Sequence, residues 1–434
     1  MDVCKSFLDK VLYTQISETV ILYIVLAILV FGLLFAVIFI KQKSEVFSTP
    51  ANVLRIQNSQ NASLDSFLTP FYKQKKGFVN YITGSPDLEK NEMALVNFVP
   101  LTVTQPGFLG PAIDGVFDEK NGVSKLVRAG IRSFVLMIDY HEDASMKPPL
   151  FAETKMPCLL SRDSSGTVRS LNSGSIQKVC QTLSDAAFGV AAPSPGDPLI
   201  LTLYFIRTPN PISDQKGFLR YCSQVAKELA PLTQYHLGQT SLGSYNRQAR
   251  QDYLLYDPLT QIEKKVLIFS NLDTSLFRTV KPAYPPKEDL DYWIHLRLFK
   301  DSTNKLGVTQ PLTQNQVPRG ILDTTVYFTT IPPENTAAAV DKTKLRWTIA
   351  VSDVGTNPAV DKLKIMTDTV GVQSIPLSIV TMNDDEKNLL TVWRDTCWKV
   401  KPKNLRFVIP TNFTPAQPSQ QLNANQGQIT SPSL

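Results

Sequence analysis

Three histidines, His141, His236 and His295, are all the imidazole in this 434-residue chain. That limits every mechanism needing two of them in one site. The densest grouping of reactive side chains is Asp139-Tyr140-His141-Glu142-Asp143. There His141 can act as a base oriented by Asp139 or Glu142, or the carboxylates can hold a hard cation; the plainer reading is a solvated loop after a strand. Arg162 and Asp163, and Asn271 and Asp273, follow other strand-like runs and are the groups that can complete a site with it. His236 has no acidic company. His295 lies in Tyr292-Trp293-Ile294-His295-Leu296, the setting of a satisfied core histidine. Cys4, Cys158, Cys180, Cys222 and Cys397 are odd in number, irregularly spaced and without a CxxC. Neither a disulfide framework nor a structural zinc follows from them, and nothing in the spacing calls for a cofactor or a resident metal. Cys158, Cys180 and Cys222 fall on apolar faces and read as small buried hydrophobes.

Ser133 to Ile138, Leu199 to Ile206 and Val266 to Ser270 are apolar, branched runs bounded by polar or Pro/Gly punctuation. Such runs suit strands buried on both faces. Between the first two, Ile176, Val179, Cys180 and Leu183 recur at helical spacing, as do Phe218, Tyr221, Cys222 and Val225 after the second. The alternation predicts α/β construction with a parallel sheet, best fitted by a (β/α)8 barrel. A doubly wound sheet is the runner-up, weakened because no GxGxxG or P-loop follows an early strand.

At 43% hydrophobic and 19% charged, with a net charge of +6, the chain has ample material for a core. Its modest, scattered excess of Lys and Arg gives nucleic acid no foothold. Val20 to Ile40 is an uncharged apolar run of the length a bilayer core requires, too long for a signal-peptide core. The organisation expected is a flank over 1–19, a transmembrane helix over 20–40, a linker over 41–77, a barrel over 78–410 and a low-complexity tail over 411–434. Lys41 and Lys43 directly after the run place the body on the cytosolic side by the positive-inside rule. The sequon at Asn61 is then expected to carry no glycan, and a second sequon stands at Asn412. The linker carries the basic cluster Lys73, Lys75, Lys76, and the tail holds no charge at all. A tail of that composition cannot order itself by self-packing.

Val99-Pro100-Leu101-Thr102-Val103-Thr104, Leu126 to Ile138, Ser175 to Leu203, Lys264 to Ser270 and Gly371 to Leu377 together resemble, in order and spacing, the phosphatidylinositol-specific phospholipase C-like phosphodiesterases. Trp393, Lys401-Pro402 and Leu405-Arg406-Phe407 resemble the end of that domain. The resemblance covers about Ala94 to Phe407 and implies a distorted TIM barrel. It also implies two catalytic histidines at the barrel mouth, acidic positions on the second strand that orient a histidine or bind calcium, and a fourth-strand glutamate. Those positions match Val103 and Ser161 for the histidines, Val135 and Met137 for the acids, and Tyr204 for the glutamate. None of the five can perform the family's task. The resemblance therefore implies a barrel that has abandoned the reaction.

Three functions follow. The first is a membrane-anchored, catalytically inactive phospholipase C-like barrel, held in the bilayer by residues 20–40 and binding proteins through barrel loops and the 411–434 tail. Large DNA viruses carry membrane-anchored proteins of this general look, and a virion membrane-to-capsid linker is one concrete form. The second is a phospholipid or sugar-phosphate binding module using Arg132, Arg162 and Arg207. The third is a diverged phosphodiesterase using the cluster from Asp139 to Asp143.

Overall fold

The computed structural model describes residues 18–47, 49–69, 71–73, 88–111, 113–237, 254–256, 258–300, 319–352, 356–379, 393 and 397–409. The chain divides into a first unit ending at Leu54 and a second beginning at Arg55. The tail over 411–434, the sequon at Asn412 and Cys4 lie outside the described residues.

The first unit contains helix α1, Glu18–Phe47. Thirty residues at ~1.5 Å each make it about 45 Å long. Its described side chains, over 22–38, are exposed apolar groups such as Leu22, Phe31 and Phe35. Among the described residues no helix is long and apolar enough to cross a membrane. The membrane-spanning expectation over 20–40 rests on the apolar run of the sequence.

The second unit is built on eight parallel strands among the described residues: β1 Thr102–Thr104, β2 Ser133–Asp139, β3 Leu199–Phe205, β4 Val266–Ser270, β5 Leu296–Lys300, β6 Arg319–Thr324, β7 Thr348–Val351 and β8 Pro376–Leu377. Their order is β8-β1-β2-β3-β4-β5-β6-β7. The ends meet where Ser374 N–H donates to the Thr348 carbonyl and Ala350 N–H to the Ser374 carbonyl, both at 2.9 Å, leaving a nearly closed barrel. Pairing fixes two faces. Val135, Met137, Thr202 and Tyr204 sit side by side with Thr104, and this face looks into the lumen, where Thr102 Oγ1 bonds Ser133 Oγ at 3.0 Å and Ser374 Oγ bonds Thr102 at 3.1 Å. Crowding there is severe: a Cβ on Gly320 of β6 would lie 2.7 Å from the Leu296 and Leu298 side chains.

The other face carries Phe134, Leu136, Ile138, Leu201 and Phe205, all buried under helices. Helix α3 is Asn121–Arg128, α4 Ile176–Phe188 and α5 Gln215–Glu228. Phe205 meets Tyr221 of α5 edge-on at 6.4 Å. Every residue of the two helical spacings expected from the sequence is buried. Ser175 caps α4 through the Lys178 N–H, and Asp214 caps α5 through the Gly217 N–H.

Two expectations change. Val99 to Thr104 is not one strand. Pro100 lacks an N–H, and Phe98–Pro100 turns away to pair antiparallel with Trp398–Val400, so β1 starts only at Thr102. Nor are residues 41–77 merely a spacer. Helix α2, Pro50–Leu68, packs the part from Arg55 onward against the barrel. Leu64 and Leu68 are buried, Gln57 Nε2 donates to the Phe117 carbonyl at 2.6 Å, and Lys125 bridges to Asp65 at 2.8 Å. Asn61, the sequon residue, is buried, and its Nδ2 donates to Asp118 Oδ2 at 2.6 Å. In the folded chain the Asn61 amide is therefore committed to Asp118.

Candidate functional site

Barrel chemistry is sited at the C-terminal ends of the strands, and β1, β2 and β3 end there at Thr104, Asp139 and Phe205. Register places Met137 beside Tyr204 and Val135 beside both Thr104 and Thr202 on the lumen face. Three of the five positions matched to the phosphodiesterase chemistry are therefore brought together as Val135, Met137 and Tyr204. Burial raises the Tyr204 phenol above its ordinary range, so it stays neutral. Two apolar side chains and a neutral phenol offer no carboxylate to a divalent cation. Calcium does not fit this place. Among the described residues no group of three or more His, Cys, Asp or Glu comes together to hold a metal.

The other two positions fall elsewhere. Val103 pairs with Phe134, on the opposite face from Val135. It lines a shallow recess outside the barrel with Leu64, Phe108, Leu109, Leu126 and Ile379, with room for about one water molecule. A strand alternates faces with period two, so one step carries the side chain through the wall. Thr104, not Val103, occupies the lumen place at the end of β1. Ser161 is on no barrel strand. Cys158–Leu159 runs antiparallel beside the top of β2, pairing Asp139 with Cys158, and Ser161 follows in a hairpin where its carbonyl accepts the Arg169 N–H at 2.8 Å. Because that segment is off the barrel path, Leu199–Phe205 is the third barrel strand rather than the fourth, and Asn271 and Asp273 follow the fourth.

The cluster from Asp139 to Asp143 does not work as a unit. Asp139 is almost wholly buried; Arg162 Nε donates to its Oδ2, and Arg207 Nε to its Oδ1 at 2.8 Å. Tyr140 N–H donates to the same Oδ1 at 2.7 Å. Both guanidiniums also donate through Nη2 to the Tyr140 carbonyl. Arg207 lies over the Tyr140 ring, 4.5 Å from its centre. Asp139 therefore does not orient His141. The buried imidazole has Nε2 2.7 Å from the Ala152 carbonyl and Nδ1 3.2 Å from the Asp143 carbonyl. Both nitrogens thus face backbone carbonyls rather than the lumen positions Val135, Met137 and Tyr204. Glu142 is exposed. Asp143 caps its own turn through Ser145, which holds its carboxyl below the usual range.

Asp163 closes an exposed turn with Ser165 and Thr167 and pairs with Arg169 at 2.7 Å; the Ser165 hydroxyl foremost, then Arg169, lower its carboxyl to about 2. Asn271 clamps the backbone of Phe205. Asp273 pairs with Arg297 at 2.6 Å. Arg132 lies at the start of β2, at the other end of the barrel, buried and donating to the Val127 and Ile131 carbonyls. Of the three arginines considered for phosphate only Arg162 and Arg207 meet, and their partner is Asp139. No spacing signal announces that convergence, since the three residues come from β2, a hairpin and the segment after β3. His236 and His295 are both buried, 4.3 Å apart between ring centres, with His295 Nδ1 accepting the Ile268 N–H at 2.9 Å. Cys158, Cys180, Cys222 and Cys397 are free and buried, and burial raises every thiol, that of Cys158 to about 12.

No family model and no curated protein matches the chain in sequence. Solved structures do match its fold. L. pealei PLC21 aligns with a TM-score of 0.50 at 12% identity, over 74% of this chain and 39% of that one. S. officinalis PLC21 gives 0.47 at 12%, over 76% and 41%. The calcium-dependent phosphoinositol-specific phospholipase C of Pseudomonas sp gives 0.41 at 9%, over 72% and 96%. The chain thus spans about two fifths of the length of the first two. The likeness is one of fold: an α/β, phospholipase C-like barrel of eight parallel strands, nearly closed.

Proposed function

We propose that this chain is a membrane-anchored, catalytically inactive phospholipase C-like barrel that serves as a structural and interaction module. One observation carries the loss of activity: the lumen-facing positions along the upper parts of β1, β2 and β3 are Thr104, Val135, Met137, Asp139 and Tyr204, and the one carboxylate among them, Asp139, is taken by Arg162 and Arg207. No histidine stands among these lumen-facing positions, among the described residues no cation ligand set is assembled, and both ring nitrogens of His141 face backbone carbonyls. The anchor rests on the apolar run from Val20 to Ile40 within α1, and the orientation, body on the cytosolic side, on Lys41 and Lys43. Protein partners meet the barrel loops and the uncharged tail. A virion membrane-to-capsid linker is the concrete form we favour.

The test is the full chain in mixed micelles containing phosphatidylinositol, with and without calcium. No release of inositol phosphate is expected. Release that disappears on His141→Ala would instead establish a diverged phosphodiesterase. Protease added outside sealed vesicles should spare the body; its digestion would reverse the orientation. Removing 411–434 should weaken association with co-purifying proteins while leaving the thermal midpoint unchanged, and the opposite pattern would make the tail part of the barrel.

A further inference from the structure

The Arg162–Asp139–Arg207 cluster does more than tie strand ends together. Two guanidiniums come from separate elements, Arg162 from the hairpin after Cys158–Leu159 and Arg207 from the segment after β3. Each directs its Nε at a different oxygen of one carboxylate. Each also places an Nη2 on the Tyr140 carbonyl, and Arg162 spends Nη1 on the Gly166 carbonyl at 2.5 Å. Two fixed cations around one small anion is the arrangement by which proteins hold free carboxylate and phosphate. Here the anion belongs to the chain. Its side chain is 2% exposed, whereas Arg207 is 37% exposed and opens the cluster to solvent at the barrel mouth.

We infer that Arg162 and Arg207 form an oxyanion cradle at the mouth which Asp139 keeps filled from within, so that small carboxylates and phosphates are excluded unless that carboxylate is withdrawn. Two guanidiniums held to one carboxylate repel each other more once that carboxylate is removed. Deleting the Asp139 side chain leaves two facing cations and the space of one carboxylate. A dissolved oxyanion of matching size then replaces what was removed. The inference stands apart from the proposed loss of activity, because it concerns binding and needs no turnover.

The experiment is anion rescue in the full chain in detergent. Glu142, exposed and near enough to raise the Arg207 pKa, is first replaced by Gln so that it cannot swing in. In that background, Asp139→Ala is titrated with formate and with inorganic phosphate, against chloride at equal ionic strength. We expect its thermal midpoint to rise with formate, with phosphate or with both; at ten times the dissociation constant the folding equilibrium shifts about elevenfold. The arms distinguish a planar from a tetrahedral ligand. The response should vanish on adding Arg207→Ala, and should be absent with Asp139 intact or with Asp139→Asn, whose amide fills the space. If Asp139→Ala does not fold in chloride, refolding yield in the two anions replaces the midpoint. No response to either anion, or one equal to that with Asp139 intact, overturns the inference.

Discussion

Glu228 is the last residue of α5, where a carboxylate opposes the helix dipole, and it is turned inward. Its Oε1 accepts from Gln224 Nε2 at 3.3 Å, and its carboxylate accepts the Gln177 backbone N–H in the first turn of α4. Burial outweighs these donors and raises its pKa from 4.5 to about 7. Between those values the folded chain holds a proton that the unfolded chain has released. Stability from this group is therefore full below about pH 4.5, declines as pH rises, and is lost above about 7. At ~1.4 kcal/mol per pH unit the interval amounts to roughly 3 kcal/mol. Glu228→Gln keeps an acceptor oxygen and cannot ionise. We expect the variant to match the parent near pH 4, to exceed it by up to about 3 kcal/mol at pH 8, and to show a flatter pH profile between. Urea unfolding of the full chain in detergent, followed by tryptophan fluorescence from pH 4 to 9, measures this. Parallel profiles, or a variant less stable than the parent at pH 8, would refute the reasoning.

Leu64→Ala should cost about 2–5 kcal/mol, because Leu64 is buried against Val103 and Leu126; a cost near zero by urea unfolding would return 55–68 to the role of a spacer. Lys401 is fully buried, with its Nζ donating to the Thr343 carbonyl at 2.9 Å, and burial holds its pKa well below the lysine range. The unfolded chain binds that proton below pH 10.5 and the folded chain resists it. Lys401→Met should therefore raise the unfolding midpoint at pH 7, with the gain shrinking toward pH 10, and a constant difference across that range would contradict the sign. Val103→His should lower the thermal midpoint by placing an imidazole in the outer apolar layer, while Thr104→His, facing the lumen mouth, should be tolerated; the reverse ranking would show that the faces are misassigned.

The parallel strands β2, β3 and β4 were legible because buried strands of a barrel are continuous apolar runs, and α4 and α5 because their buried faces repeat at helical spacing. The start of β1 was not: apolar content cannot tell that Val99 pairs with Lys399 near the chain's end while Thr102 pairs with Ser133. The site was half legible. Val135, Met137 and Tyr204 could be matched as a set, since alternation keeps every second residue on one face. A match displaced by one residue, as at Val103, inverts the face without disturbing the apolar pattern. Asp139 and His141 looked like partners because they are close in sequence, but β2 ends at Asp139 and His141 lies beyond it, where strand alternation no longer holds. The partners of Asp139, Arg162 and Arg207, are long-range and leave no local pattern, and His141 turns instead to the nearby Asp143 and Ala152 carbonyls. The docking of α2 was hidden for a related reason. Only Leu64 and Leu68 mark its buried side beyond Arg55, and amides do much of the rest.

The amide of Asn61 also works as a clock. Oligosaccharide transfer acts on a chain still being threaded into the lumen, whereas the same nitrogen is sealed once it donates to Asp118. If the body is redirected into the secretory pathway by an added leader, occupancy of Asn61 reads which event comes first. A bare Asn61 would mean that α2 seats within the time the enzyme needs. A sugar there would wedge the helix off its bed and leave Leu64 with nothing to cover. In the cytosolic orientation proposed above the chain does not run that race, and a glycosylation signal can then stand at a position whose amide the fold commits to Asp118.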